Sequence, residues 1–195
     1  MLLCKALAAL AHRFATKEVA HSKRHLRQAF PHLEATDIER LIKEMFTHFA
    51  LSVVELINLE DSVSQCIDDE RNTEAFELLR RSLKDDLGAI VVSGHIGNWE
   101  LMARAFSRAG FPISAVAKPT YDPRLTAWVD SFRGRYGMKT LWCGHGGGFK
   151  AILAVFQARE TFGILIDQDT KVPGDFVPFF GHLAFTPTAA ATLHR

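Results

Sequence analysis

Hydrophobic positions along this chain change their period near residue 88. Before that point they recur at helical spacing. Residues 2–29 contain no Gly or Pro, and Pro31 closes the stretch, which predicts helix throughout. Thr36-Asp37-Ile38-Glu39 has the form of a capping box. Behind it Ile38, Leu41, Ile42, Met45, Phe46 and Phe49 begin an apolar stripe that continues through Val53, Leu56 and Ile57, five turns in all. A further helix is predicted from about residue 73 to 86, with Phe76, Leu79, Leu83 and Leu87 turned inward.

From Gly88 short apolar runs alternate with amphipathic stretches. Strands are predicted at 89–93, 112–117, 138–143 and 161–166. Helices are predicted at 98–109, from Pro123 to before Gly137, and from Phe149 to Phe156; Asp122-Pro123 supplies an N-cap followed by proline at the first helical position. Repeated strand–helix units with short links give an α/β class: N-terminal helices, then a mostly parallel sheet covered by helices. The division expected is a helical part, 1–87, and an α/β part, 88–195, within a single domain. After Asp167 the chain reads as irregular, and Thr186-Pro187 looks like the start of another helix. The alternation stops inside that helix, so the sequence is read as a fragment lacking further strands.

The first strand runs into Gly94-His95-Ile96-Gly97-Asn98-Trp99-Glu100. A base and a carboxylate five residues apart sit where a strand ends and a helix begins, the place where open α/β sheets build their sites. On one regular helix the two would stand ~140° apart. They converge only with His95 in the turn and Glu100 in the first helical turn, and Gly94 and Gly97 suit a sharp bend there. The spacing alone is weak: nine His and 22 acids in 195 residues make about one such pair expected by chance, and His32 with Asp37 is a second. The context of strand, glycine-bracketed turn and helix distinguishes the first. Lys118-Pro119 follows the second strand and Asp167-Gln168-Asp169 the fourth; in a parallel sheet these ends share one edge. Trp99 reads as a core residue.

Composition narrows this little. Fifteen Phe against two Tyr suggests a deep core or a lipid-facing surface. Net charge is +1, but residues 1–30 carry six bases against Glu18 alone, a segment that suits anionic lipid, an acidic protein or nucleic acid. Three Cys with no paired spacing give neither a zinc site nor a disulfide framework. No run reaches the ~18–20 apolar residues of a membrane span; residues 1–11 look like the remnant of a longer anchor. An α/β-hydrolase is rejected because no Gly-x-Ser-x-Gly accompanies His145-Gly146-Gly147-Gly148, which reads instead as a flexible loop. Gly144, Gly146 and Gly148 do not make a dinucleotide fingerprint, and His21 with His25 lacks the intervening Glu and third ligand of a zinc enzyme.

Several blocks in order resemble one family. Gly94 to Leu101 is similar to the His-x4-acid motif of the lipid A late acyltransferases, the lauroyl/myristoyl transferase branch of the bacterial lysophospholipid acyltransferase superfamily. Arg24 to Pro31, Glu55, Lys118-Pro119 with Asp122-Pro123 and Arg133, then 163–169 and 176–181, resemble its other segments. Lys118 stands where the family usually has Arg.

The resemblance implies an acyltransferase that needs no cofactor and no metal. It would move a fatty acyl chain from a thioester of acyl carrier protein or coenzyme A to a hydroxyl of a lipid A precursor. His95 would be the general base and Glu100 the acid holding its ring. Arg133 first, then Lys118, would face the developing oxyanion, and Asp167 would position the acceptor or a basic partner. The implied place is the cytoplasmic face of the bacterial inner membrane, with no nucleic acid as partner. The alternatives are a lysophospholipid acyltransferase and an inactive lipid-associated binding protein.

Overall fold

The computed structural model describes residues 2–84, 87–143, 148–168 and 170–193. The chain folds as two compact units, one of residues 1–58 and 175–186, the other of 59–174 and 187–195. The helices of 59–82 therefore belong to the same unit as the sheet that follows them.

In the first unit the expected continuous helix over 2–29 is two, α1 (Leu2–Phe14) and α2 (Thr16–Ala29), broken at Ala15 (φ −81°, ψ 54°). No breaker residue marks the joint, and hydrogen bonds from Ala15 N–H to Ala11 O and from Val19 N–H to Ala15 O run across it. The third helix, α3 (Ala35–Ile57), has the length its stripe predicts but not its cap. Glu34 is the N-cap residue and caps with no side chain, Thr36 lies inside the first turn, and Glu39 is held by Lys23 at 2.7 Å instead of closing a capping box. Cys4 and Ala8 of α1 bury against α3, where Ile38 and Ile42 are closed off from solvent. Farther along the stripe Phe49, Val53 and Ile57 are exposed.

After Asp167 two strands replace the expected irregular run. They are β5 (Gly174–Phe179) and β6 (His182–Pro187), paired as a hairpin that belongs to the first unit. Pro187 ends a strand and does not open a helix; the short helix there, α9, covers Ala189–Leu193. The chain's compositional turn signals are weak here, since the two turn residues are Phe180 and Gly181.

The second unit begins with α4 (Leu59–Asp68), which carries no breaker to separate it from α3, then a single 3-10 turn and α5 (Thr73–Ser82). Phe76 and Leu79 are buried as expected, but α5 stops short of residue 86 and Leu87 is exposed. Strands β1 (Ala89–Ser93), β2 (Ile113–Ala117), β3 (Met138–Trp142) and β4 (Thr161–Leu165) alternate with α6 (Trp99–Arg108), α7 (Pro123–Arg135) and α8 (Gly148–Gln157), within a residue or two of the sequence reading. Asn98 caps α6 through Leu101 N–H, and Asp122 caps α7 ahead of Pro123. Residues 144–147 of the glycine loop lie outside the described residues.

All pairings in the four-stranded sheet are parallel, in the order β1-β4-β2-β3. The last strand in sequence is thus inserted between the first and second. Its side chains fill the centre: Phe162 and Thr161 are fully buried, and Phe156 of α8 packs edge-on to Phe162. Gly88, just before β1, is required by space: a Cβ there would meet Phe156 Cδ1 at 2.7 Å and the Glu160 carbonyl at 2.9 Å. No helix among the described residues is long and apolar enough to cross a membrane.

Phe162→Ala opens a cavity where the helices meet the central strand. It is expected to lower the unfolding free energy by about 3–5 kcal/mol, read as a fall in the urea midpoint.

Candidate active site

Register decides which residues meet. β1 pairs with β4 from Ala89↔Thr161 to Ser93↔Leu165, and Ile166 N–H continues the ladder to the Ser93 carbonyl. Two residues past that last pair on each strand stand His95 and Asp167. The ring Nδ1 of His95 lies 2.7 Å from Asp167 Oδ1, and the His95 backbone N–H donates to Asp167 Oδ2 at 2.6 Å. One carboxylate thus holds both the ring and the backbone of a single residue, 72 positions away in sequence. Gly94 makes room for it: a Cβ there would fall 2.9 Å from Asp167 Oδ2. Gly97 has the positive φ (63°) that the turn into α6 needs.

The carboxylate on the imidazole is thus Asp167, expected to position the acceptor or a basic partner, and not Glu100, expected to hold the ring. Glu100 does lie in the first turn of α6, as expected, where its charge suits the helix N-terminus. Its carboxylate is taken by Arg133 of α7. Arg133 Nε donates to Glu100 Oε2 at 3.0 Å, Nη2 donates to Oε1, and Nη1 reaches Thr140 Oγ1 of β3 at 3.3 Å. Both side chains are largely buried, 14% and 18% exposed, so the pair ties α6, α7 and β3 together out of water. Arg133 is therefore engaged, not a free cation. Lys118, at the end of β2, is exposed and makes no hydrogen bond or ion pair among the described residues. Asp169 lies outside them.

A donor on Nδ1 fixes the tautomer: with that proton held by Asp167, Nε2 of a neutral ring carries the lone pair. Burial pushes the Asp167 carboxyl up. The hydrogen bonds from the His95 ring, the His95 N–H and its own backbone N–H, with the charge of His95, outweigh that and hold it below its ordinary value. The carboxylate is thus ionised at neutral pH and ready to stabilise an imidazolium. Trp99 packs against the ring at a centroid distance of 4.9 Å and 73°, an edge contact that fixes the imidazole plane; Trp99 was expected only in the core. Val92 near the end of β1 and Ile96 within the turn are exposed. Among the described residues no group of acids, His or Cys could hold a metal ion.

The two carboxylates separate by experiment. Glu100→Gln leaves the buried Arg133 charge without its counter-charge and is expected to cost about 1–3 kcal/mol of stability. Asp167→Asn should lower stability chiefly above the ordinary carboxylate range, and its difference from wild type should close in acid. The folded-state pKa of Asp167 lies below the unfolded value, so its stabilisation is complete above the ordinary carboxylate range and is lost as pH falls through the lowered value. Urea midpoints of wild type should therefore fall more steeply than those of Asp167→Asn below roughly pH 4.

The whole chain, residues 1–195, matches the family described as bacterial lipid A biosynthesis acyltransferase. Two curated relatives are the lipid A biosynthesis palmitoleoyltransferase of Escherichia coli (strain K12) and the lipid A biosynthesis acyltransferase of Shigella flexneri. Each is 25% identical over 180 residues, covering 89% of this chain and 56% of the relative. The chain thus spans about half the length of the curated relatives it matches. With a match from end to end, this chain belongs to the bacterial lipid A biosynthesis acyltransferase family.

Proposed function

We propose that this protein transfers a fatty acyl group from a thioester, of acyl carrier protein or coenzyme A, to a hydroxyl of a lipid A precursor, with His95 as general base and Asp167 as its orienting carboxylate. The observation that carries the reading is the 2.7 Å contact between His95 Nδ1 and Asp167 Oδ1. It leaves Nε2 to take the acceptor proton as the hydroxyl oxygen attacks the thioester carbonyl. Asp167 then stabilises the imidazolium, as in a triad without its serine. Collapse of the tetrahedral intermediate forms the ester and expels the thiolate, which takes back the proton from Nε2. No acyl-enzyme is needed.

The oxyanion needs donors. The His95 backbone N–H is already given to Asp167 and cannot serve. Lys118 comes first in this reading, being exposed at the same sheet edge with no partner among the described residues. Arg133 comes second: three of its five N–H donors are on Glu100 and Thr140, which leaves two. Glu100 acts on chemistry through Arg133 as a positioning residue. The exposed Val92 and Ile96 offer apolar contact to an acyl chain. The place of work in this reading is the cytoplasmic face of the bacterial inner membrane, where such a lipid hydroxyl is presented.

The test is a radiolabelled acyl-transfer assay with lipid A precursor and, separately, lysophospholipid as acceptor. His95→Ala should abolish transfer with the circular dichroism spectrum kept. Asp167→Asn should lower kcat by about 10²–10⁴ through the wrong tautomer. Retained turnover in His95→Ala overturns the assignment. Product from lysophospholipid alone moves the acceptor class, and thiol release without lipid product marks a thioesterase.

A further inference from the structure

The β5–β6 hairpin is built against the usual rules for an exposed turn. Phe180 (φ 47°) and Gly181 (φ 74°) are its two turn residues, both in the left-handed region that a type I′ turn demands. Asn or Asp at the first position would fit that conformation at low cost; a bulky Phe is a strained outlier there. The strain places an aromatic ring at the tip, 51% exposed. Phe176, Phe179 and Leu183 beside it are 63%, 61% and 70% exposed. Within 174–187 the only titratable side chains are Asp175 and His182.

The tip leans on a basic helix of the same unit. Phe30, at the C-terminal end of α2, meets the Phe180 ring at 5.0 Å, and His182 Nε2 lies 3.2 Å from the Gln28 carbonyl. On α2, Lys17, His21, Arg24 and Gln28 are spaced i, i+4, i+7 and i+11, so they share one face, and all four are exposed. Arg27 is exposed one position from Gln28. Among the described residues Lys23 is the only base of α2 in an ion pair; Lys17, Arg24 and Arg27 make none, and Glu18 is the only acid of the helix.

We infer that this hairpin and the basic face of α2 together form a docking surface for an anionic lipid bilayer, with the Phe-rich tip entering the headgroup boundary and the cations lying over it. Apolar insertion and a cationic patch are the two signals that reversible membrane attachment requires, and here they are contiguous. A strand-adding protein partner fits less well, because Pro178 removes a ladder donor from β5. The inference deepens the proposed function, since acyl transfer to a lipid needs a bilayer within reach. Binding is nonetheless measured apart from turnover, so either can fail alone.

The experiment is co-sedimentation of the chain with mixed phosphatidylethanolamine–phosphatidylglycerol vesicles and with pure phosphatidylcholine vesicles. Wild type should bind the anionic vesicles preferentially and be released by salt. Arg24→Gln with Arg27→Gln should weaken that binding about fivefold per charge. Phe179→Ser with Leu183→Ser should weaken it at least tenfold. Light scattering and circular dichroism accompany each variant. Equal binding to neutral vesicles, or unchanged binding in both variants, overturns the inference. So does a concentration-dependent dimer of wild type that Phe179→Ser with Leu183→Ser abolishes, which would make the surface an interface between two copies. Vesicle binding without acyl transfer by wild type would leave the docking surface standing and count against the proposed function.

Discussion

The parallel pairing of β1 with β4 is the constraint on which the candidate site depends. Nothing local to His95 selects its partner. The partner is selected because β4 enters the sheet beside β1 in a register that sets Ser93 against Leu165, so that the next side chains beyond the ladder face each other. A slip of one residue would turn Asp167 to the opposite face of the strand. The register in turn rests on the filled centre of β4, where Phe162 and Thr161 have no room to exchange sides. Core packing thereby fixes a distance of 2.7 Å at the sheet's edge.

Much of the second unit was legible in the sequence for the same reason. Strands of five residues in a parallel sheet are buried enough to read as apolar runs, and their helices are opened by Asn98 and by Asp122-Pro123, whose capping chemistry is local. The gathering of His95, Lys118 and Asp167 at one edge was legible too, since parallel strands must all end there. The partner of the ring was not. Spacing along the chain pointed to Glu100, five residues on, whereas the contact runs through strand order, and strand order leaves no periodic mark. A clue did exist in Gly94, whose missing side chain reserves space for a carboxylate from another strand. The hairpin escaped for a different reason: its turn is Phe-Gly, an arrangement that turn preferences argue against, and its exposed Phe residues break the inside–outside alternation by which strands are recognised.

Two carboxylates, one imidazole and one guanidinium stand around the turn, and their pairing has a physical logic. Glu100 is the less exposed acid, 18% against 37% for Asp167. A carboxylate withdrawn that far from water needs a partner that is charged at every pH, and Arg133, forked and permanently cationic, meets it with two parallel hydrogen bonds. An imidazole is not a permanent cation and could not supply that compensation at every pH. Conversely, a guanidinium on Asp167 would neutralise the charge that the imidazolium of the proposed reaction requires. Sending Arg133 to Glu100 leaves Asp167 partly in solvent with an imidazole nitrogen on one oxygen and a backbone N–H on the other. It is then a carboxylate that stays ionised without a permanent cation, as the proposed role of balancing an imidazolium requires.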